Sequence, residues 1–238
     1  MASSSSSIST SIALAPDLRT GSRIRVPLVT DRENFIVSMC RTATMVAHVG
    51  CTDSPYTQHR LAAGELLHER LLELSTVVGF DIDEEALTDL RVRFSDAAFI
   101  CADLSPPVPE ACCHRFDLVI VGEVLEHVPD AATFLSGTRE LLAVDGSLLV
   151  TVPNACSPKI GARSLIGRES VHPDHHTYYG PRTLRHTLEC AGYSVDLLAT
   201  YLATPGPLGH AVNLGLRIVH RVTQGPVGEG LIALAHVP

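Results

Sequence analysis

The sequence predicts an α/β domain built on a mostly parallel sheet with helices on both faces. Five short strands that are apolar throughout alternate with helical segments between residues 44 and 152. Strands of this kind are buried on both faces, which is typical of a parallel sheet covered by helices. The length of 238 residues and the 45% hydrophobic content suffice for one such domain with a modest appendage.

The five strands each end at a residue that favours a turn. Their predicted ranges are 44–49, 76–80, 98–102, 116–121 and 147–152. A stripe of leucines predicts a helix over 56–74. Asp83 begins a second helix with two acidic residues in its first turn, and Asp130 caps a third that runs to residue 142.

The last third of the chain has a different character. Residues 154–179 show little periodicity and carry several histidines, arginines and tyrosines, so we expect a functional loop or lid there. Pro181 and Gly192 bracket a predicted helix. Two further strands are predicted over 194–200 and 231–237, and an apolar helical pattern over 207–222. The interval 154–222 is therefore predicted to be a lid and substrate region.

The N-terminal segment is rich in serine and contains no acidic residue before Asp17. Residues 1–28 are predicted to be a disordered tail, which leaves 29–238 as the domain. Seven cysteines without separated CxxC pairs indicate small buried residues in a reducing compartment. A cytoplasmic location is expected, and the alternative is a plastid or mitochondrion, because the tail also fits a transit peptide.

The charge balance argues against nucleic acid as the partner. The net charge is −8, the chain has no tryptophan, and the sequence lacks a basic and aromatic strip of the kind that binds single strands. No apolar run is long enough to span a membrane. A small molecule is therefore the expected partner, while the composition leaves the oligomeric state undefined.

Distinctive residues stand where four successive strands end: Gly50, Asp81, Asp103 and Glu123. In open α/β sheets ligands bind at the carboxyl ends of the strands. A glycine permits close approach of a ligand, and a carboxylate accepts hydrogen bonds from ribose hydroxyls or an adenine amino group. A single acidic residue at a strand end is common as a helix cap, so the prediction depends on their ordered succession.

Five segments resemble, in chain order, the motifs of class I S-adenosylmethionine (SAM)-dependent methyltransferases: VAHVGCTDSP, VVGFDID, ICADL, FDLVIVGEVLEHV and LLAVDGSLLVTVPN. The later HPDHHTYYGPRTLRHTLECAGY resembles a segment common after the fifth strand in that superfamily. The resemblance covers residues 35–195. It implies a doubly wound, Rossmann-like, mostly parallel sheet of seven strands whose last strand is antiparallel. It also implies a transferase with SAM as its cofactor.

The resemblance also implies which residues bind the cofactor. Gly50 and Cys51 would lie under the methionine part of SAM, and Asp81 would hold the ribose. The remaining expected contacts are Ile82 beside the adenine, Asp103 and Leu104 on the adenine, and Glu123 next to the cofactor. One departure stands out: His48 replaces the usual acidic residue, and Thr52 and Asp53 follow where glycine is expected. A domain that has lost the cofactor therefore remains an alternative.

The spacing of Glu123, Glu126 and His127 would place all three on one side of a helical turn. His127 is predicted to be the general base or to orient the acceptor, and the predicted catalytic set is His127, Glu126 and His175. The ExxEH pattern resembles the metal-binding element of ubiquinone-pathway O-methyltransferases and of small-RNA 2′-O-methyltransferases. It is also common in relatives without metal, so a divalent metal on Glu123, Glu126, His127 and His175 is allowed but not favoured.

A second group of histidines lies in the loop before the predicted helix at Pro181. His172, His175 and His176 either approach the same site or belong to a solvated polar loop. The sequence thus favours a methyltransferase that acts on a small molecule, with a hydroxyl oxygen as the acceptor. The alternatives are an RNA 2′-O-methyltransferase with a divalent metal and a non-catalytic methyltransferase-like domain.

Overall fold

The computed structural model describes residues 23–169, 171–202 and 209–238. Within these ranges the chain forms one sheet with helices packed on both of its faces. The strands are β1 Leu28–Val29, β2 Met45–Val49, β3 Thr76–Asp81, β4 Ala98–Cys101, β5 Phe116–Gly122, β6 Leu142–Pro153, β7 Ser194–Tyr201 and β8 Gly230–His236. The helices are α1 Arg32–Cys40, α2 Thr57–Ala63, α3 Leu67–Leu72, α4 Glu84–Arg93, α5 Ala131–Leu141, α6 Pro158–Leu165, α7 Pro181–Cys190 and α8 Gly209–Thr223.

The strand order is β1-β7-β8-β6-β5-β2-β3-β4. All neighbouring pairs are parallel except those of β8, which runs antiparallel to both β6 and β7. This confirms the predicted doubly wound, mostly parallel sheet with an antiparallel last strand. The described residues form eight strands rather than the predicted seven, because β1 adds a short edge strand beside β7.

The alternating residues of the central strands explain why those strands are apolar throughout. In β5, Val119 and Val121 belong to the larger core cluster, whereas Leu118 and Ile120 belong to a separate cluster on the opposite face. Helices α5 and α7 cover the first face, and α1 and α3 cover the second. Both faces are therefore buried, as the sequence pattern indicates.

The capping residues Asp83 and Asp130 correctly predict where two helices begin, but the sequence analysis missed a break between α2 and α3. Asp83 accepts a hydrogen bond from the backbone N–H of Ala86 at 3.0 Å, and Asp130 caps α5 in the same way. The single helix predicted over 56–74 is instead divided into α2 and α3. Gly64 ends α2 with a left-handed φ of 66°, a conformation that glycine adopts without strain.

Two predicted boundaries need correction. Residues 1–22 of the predicted tail lie outside the described residues, but residues 23–28 are not a free tail. Val26 is buried and donates its backbone N–H to the carbonyl of Gln224 at 2.9 Å. The interval 154–222 is not one lid either, since β7 lies inside the sheet and Leu184 and Leu188 of α7 are fully buried.

The helix predicted over 207–222 corresponds to α8, although residues 207 and 208 fall outside the described ranges. No helix in the described part of the chain has the length and apolar character that crossing a bilayer requires. The described residues between 154 and 179 contain α6 and an irregular loop that returns to the sheet at Tyr179.

Candidate functional site

The crevice at the carboxyl ends of the parallel strands begins at Gly50. This residue follows β2 with φ of 75°, and its N–H donates to the carbonyl of Phe80 at 2.9 Å. A β-carbon at this position would lie 2.3 Å from Cγ2 of Val124. Glycine is therefore needed here both for its backbone conformation and for the close approach of the turn that follows β5.

The carboxylate of Asp81 is the most heavily bonded group of the crevice. Its Oδ2 accepts from the backbone N–H of Thr52 at 3.0 Å and from the Thr52 hydroxyl at 2.7 Å. Its Oδ1 accepts from the N–H groups of Ile82 and Asp83 at 2.8 and 3.1 Å. Asp81 thus joins the loop after β2 to the loop after β3. The side chain of Ile82 is 73% exposed beside it.

Two of the predicted cofactor contacts have buried side chains. Cys51 packs in a core cluster under α4, and the burial raises the pKa of its thiol. Leu104 lies in the main core with φ of 55°. These side chains therefore do not line the crevice, and only their backbone faces remain for a ligand. Asp103 lies one residue before Leu104, and its Oδ1 accepts from the N–H of Ser105 at 2.8 Å.

Glu123 connects three elements at the end of β5. It adopts φ of 56°, and its Oε1 accepts from the hydroxyl of Tyr201 at 2.9 Å. The guanidinium of Arg32 lies 3.6 Å from the same oxygen. Burial raises the pKa of Tyr201 well above its usual value, and the negative charge of Glu123 adds to this effect. Sequence reasoning missed Arg32 and Tyr201, because neither lies in a recognised motif.

The turn after Glu123 does not place the three predicted side chains on one face. Leu125–His127 form a 3-10 turn, so Glu126 points inward and is 2% exposed while His127 is exposed. Among the described residues, Oε2 of Glu126 has no hydrogen-bond partner. Burial, followed by repulsion from Glu123, raises the pKa of the Glu126 carboxyl well above its usual range. Glu126 is therefore expected to be protonated at neutral pH.

His127 instead joins two histidines from the loop. The ring centroids of His127 and His175 lie 4.5 Å apart, and His172 lies within 6 Å of both. The loop is fastened here by the N–H groups of His176 and Thr177, which donate to the carbonyl of Glu126 at 2.8 and 3.2 Å. Burial, and then the two neighbouring imidazoles, lowers the pKa of His175.

The three histidines His127, His172 and His175, called the three-histidine cluster below, form a candidate metal site. One nitrogen from each ring lies within 4.8 Å of the others. In the described chain neither Glu123 nor Glu126 belongs to this group, so the predicted set of two carboxylates and two imidazoles is not brought together. Three imidazoles suit Zn²⁺, Co²⁺ or Ni²⁺ better than Mg²⁺, which prefers oxygen ligands.

A buried histidine pair occupies the position of the missing acidic residue. Nδ1 of His48 lies 3.1 Å from Nδ1 of His68, and the two rings are stacked. Burial lowers the pKa of His68 to about 4, and burial, followed by the neighbouring His68, also lowers the pKa of His48 well below its usual value. Both rings are therefore neutral. The sequence showed that His48 departs from the motif but gave no signal of its partner.

Comparison with known proteins finds methyltransferases among the family models and the relatives. A family model described as a methyltransferase domain matches residues 60–198. A ubiquinone biosynthesis O-methyltransferase of Ruegeria sp. is 31% identical over 128 residues, covering 50% of this chain and 51% of the relative. One from Cereibacter sphaeroides is 41% identical over 112 residues, covering 45% and 44%. The chain spans about half the length of the curated relatives it matches.

Solved structures show the same fold at low sequence identity. A didemethyltoxoflavin N1-methyltransferase of Burkholderia thailandensis, solved with S-adenosylhomocysteine, has a TM-score of 0.51 at 17% identity. The match covers 85% of this chain and 76% of that one. A small RNA methyltransferase has a TM-score of 0.56 at 19% identity, covering 87% of this chain and 25% of that one.

Proposed function

The chain belongs to the methyltransferase domain family of class I SAM-dependent methyltransferases, and from that premise we propose that it methylates a hydroxyl oxygen of a small molecule. The observation that carries the proposal is the position of His127. Val124, three residues before His127, lies close to Gly50, and the side chain of His127 is exposed, which supports a position of this imidazole beside the crevice. The ubiquinone O-methyltransferases among the relatives support oxygen as the acceptor.

The residues for holding SAM come from neighbouring strands. Asp81 ends β3 and Asp103 follows β4, and these two strands are paired in parallel, so both carboxylates emerge at one edge of the sheet. We assign the ribose to Asp81 and the adenine to Asp103 and the exposed side chain of Ile82. The bare backbone at Gly50 leaves room for the methionine part of the cofactor.

The reaction requires little chemistry from the protein. Bound SAM supplies a methyl group on a sulfonium, which is already a good leaving group. The protein must align the acceptor oxygen with the methyl carbon and take up the hydroxyl proton. We assign the proton to an imidazole nitrogen of His127, and we assign to His172 and His175 the task of holding the acceptor or that imidazole in place.

A second candidate is metal-assisted transfer, which the three-histidine cluster favours. The three imidazoles fit a divalent transition metal, and such an ion would lower the pKa of an acceptor hydroxyl that binds to it. Glu123 lies outside this cluster, and its carboxylate accepts a hydrogen bond from Tyr201 and lies near Arg32. The same geometry would serve a ribose hydroxyl of RNA, although the net charge of −8 disfavours nucleic acid as the partner.

An activity screen with methyl-labelled SAM tests the proposal. The acceptors are grouped as phenols and catechols, aliphatic alcohols, amines and a short RNA, each with and without a chelator. We expect label on a hydroxyl acceptor. Transfer to amines alone would refute the choice of oxygen, and loss of transfer with chelator would favour the metal-assisted route. Calorimetry that shows no heat with either SAM or S-adenosylhomocysteine would identify the chain as a non-catalytic domain.

A further inference from the structure

Helix α8 is attached to the body of the protein by a narrow stripe. The structure describes all of its residues, from Gly209 to Thr223, and none of them is buried. The four that are half-buried are spaced three or four residues apart: Gly209, Asn213, Leu216 and His220. Nε2 of His220 lies 2.8 Å from the carbonyl of Val26. This stripe contains one large apolar side chain, so α8 contributes little to the core.

Five large apolar side chains of α8 point away from the protein. The exposed fractions are 57% for Val212, 61% for Leu214, 60% for Ile218, 46% for Val219 and 82% for Val222. With about 3.6 residues per turn, these positions fill a continuous sector of about 160° opposite the attached stripe. Helices at a protein surface usually turn such a sector toward the core. Here the sector faces the solvent.

A basic edge runs along this exposed sector. His210, Arg217 and Arg221 are all exposed and follow one another on the helix surface beside the apolar side chains. Residues 209–223 include no aspartate or glutamate, although the chain has 26 acidic and 18 basic residues in total. The charge of α8 is therefore opposite to that of the protein as a whole.

We propose that α8 is an interfacial helix that binds the surface of an anionic lipid bilayer. An apolar sector with basic residues at its edge is the pattern of helices that lie in the plane of the interface. Anionic headgroups attract arginine, and the net negative charge elsewhere would orient the protein with α8 toward the lipid. A second copy of this chain fits less well, because its α8 would bring more arginines and no acidic residue.

The first test is flotation of the full chain with vesicles. We expect co-flotation with phosphatidylcholine vesicles that contain phosphatidylglycerol, weaker binding to phosphatidylcholine alone, and release at high salt. Val222→Asp should reduce the bound fraction at least tenfold. Val92→Asp is the matched control, because Val92 lies on α4 with the same exposed fraction of 82%. It should leave vesicle binding unchanged.

Charge and insertion are tested separately. Arg217→Gln and Arg221→Gln should each weaken binding to the anionic vesicles about fivefold, the ratio that corresponds to ~1 kcal/mol for each arginine near such a surface. The chain has no tryptophan, so Val222→Trp provides a single reporter. Its emission should shift to shorter wavelength when anionic vesicles are added and should not shift with phosphatidylcholine alone.

Three results would overturn the proposal. The first is failure of the wild-type chain to float with anionic vesicles at low salt. The second is an equal effect of Val92→Asp and Val222→Asp. The third is a dimer in analytical ultracentrifugation that Val222→Asp dissociates, which would assign the apolar sector to a second copy. None of these results depends on methyl transfer, and SAM binding measured on the same variants reports on the proposed function independently.

Discussion

The hydroxyl of Thr52 donates a hydrogen bond of 2.7 Å to Oδ2 of Asp81, the carboxylate to which we assign the ribose of SAM. The backbone N–H of Thr52 donates to the same oxygen, and two further N–H groups donate to Oδ1. A carboxylate offers about four lone-pair positions. Ribose hydroxyls must therefore compete with donors of the protein itself, and Thr52 supplies the one side-chain donor among these four contacts.

Replacing Thr52 by alanine is expected to strengthen SAM binding. The substitution removes one competing donor and keeps the backbone N–H, and a net hydrogen bond is worth about 1 kcal/mol. The expected gain in affinity is about fivefold, measured by calorimetry with SAM and with S-adenosylhomocysteine. Thr52→Ser keeps a hydroxyl and should bind like the wild type. Weaker binding by Thr52→Ala would instead show that the hydroxyl contacts the cofactor or fixes the Asp81 rotamer.

The positions of the strand ends could be predicted because each apolar strand ends abruptly. Gly50 and Asp81 therefore lie where the sequence placed them, at one edge of the sheet. The direction of Glu126 could not be predicted from spacing alone. The spacing argument assumes an α-helical turn, but the positive φ of Glu123 and the 3-10 turn that follows rotate Glu126 into the interior.

The sequence predicts helix α8, but it does not show which face of this helix packs against the protein. The apolar pattern over 207–222 predicts a helix within a lid and substrate region, and the helix is present as α8. Periodicity shows that one face of a helix is apolar, but it does not show which face is attached to the protein. In α8 the attached stripe is the one with Asn213 and His220, so the apolar sector remains exposed.

His127→Ala is expected to reduce turnover with little effect on SAM binding. General base catalysis contributes about 100-fold or more, so kcat should fall by at least that factor while the Kd for SAM changes less than twofold. His186→Ala, which replaces an exposed histidine on α7, is the control. Unchanged kcat in His127→Ala would exclude this imidazole from the reaction.

Metal binding by the three-histidine cluster makes a separate prediction. We expect Zn²⁺ or Co²⁺ to bind one ion per chain, and Co²⁺ to give the visible absorption of a nitrogen-ligated site. His172→Ala should abolish this absorption, because it leaves two imidazoles, whereas Mg²⁺ should produce no competition at similar concentrations. Equal binding by wild type and His172→Ala would show that the cluster is not a metal site.

The buried pair of His48 and His68 is expected to make the fold sensitive to acid. Their folded-state pKa values lie below the unfolded value of 6.5, so the unfolded chain takes up protons first as the pH falls. The free energy of unfolding is thus unaffected by this pair above pH ~6.5 and decreases below it. With a folded pKa of about 4, His68 alone accounts for a loss of about 2 kcal/mol between pH 7.5 and pH 5.

Urea unfolding at the two pH values tests this prediction. The double variant His48→Val, His68→Leu replaces both partners by apolar side chains, so no buried polar group is left without a partner. On acidification it should lose at least about 2 kcal/mol less stability than the wild type, because His48 adds to the contribution of His68. His59→Leu, at an exposed position on α2, should behave like the wild type. A double variant as acid-sensitive as the wild type would place the origin elsewhere.

Gly50→Ala is expected to destabilise the fold and to close the crevice. Alanine in a left-handed conformation costs about 1 to 2 kcal/mol, and its β-carbon would overlap Cγ2 of Val124. Gly64→Ala separates these two effects, because Gly64 has a similar φ of 66° and its added β-carbon meets no described atom within 4 Å. Thermal unfolding should therefore show a larger loss of stability for Gly50→Ala, together with at least tenfold weaker SAM binding.

Adding Val124→Ala to Gly50→Ala should recover the steric part of the stability loss and leave the backbone part, which equals the loss in Gly64→Ala. Equal losses in the two single variants would show that Val124 moves aside freely and does not wall the crevice.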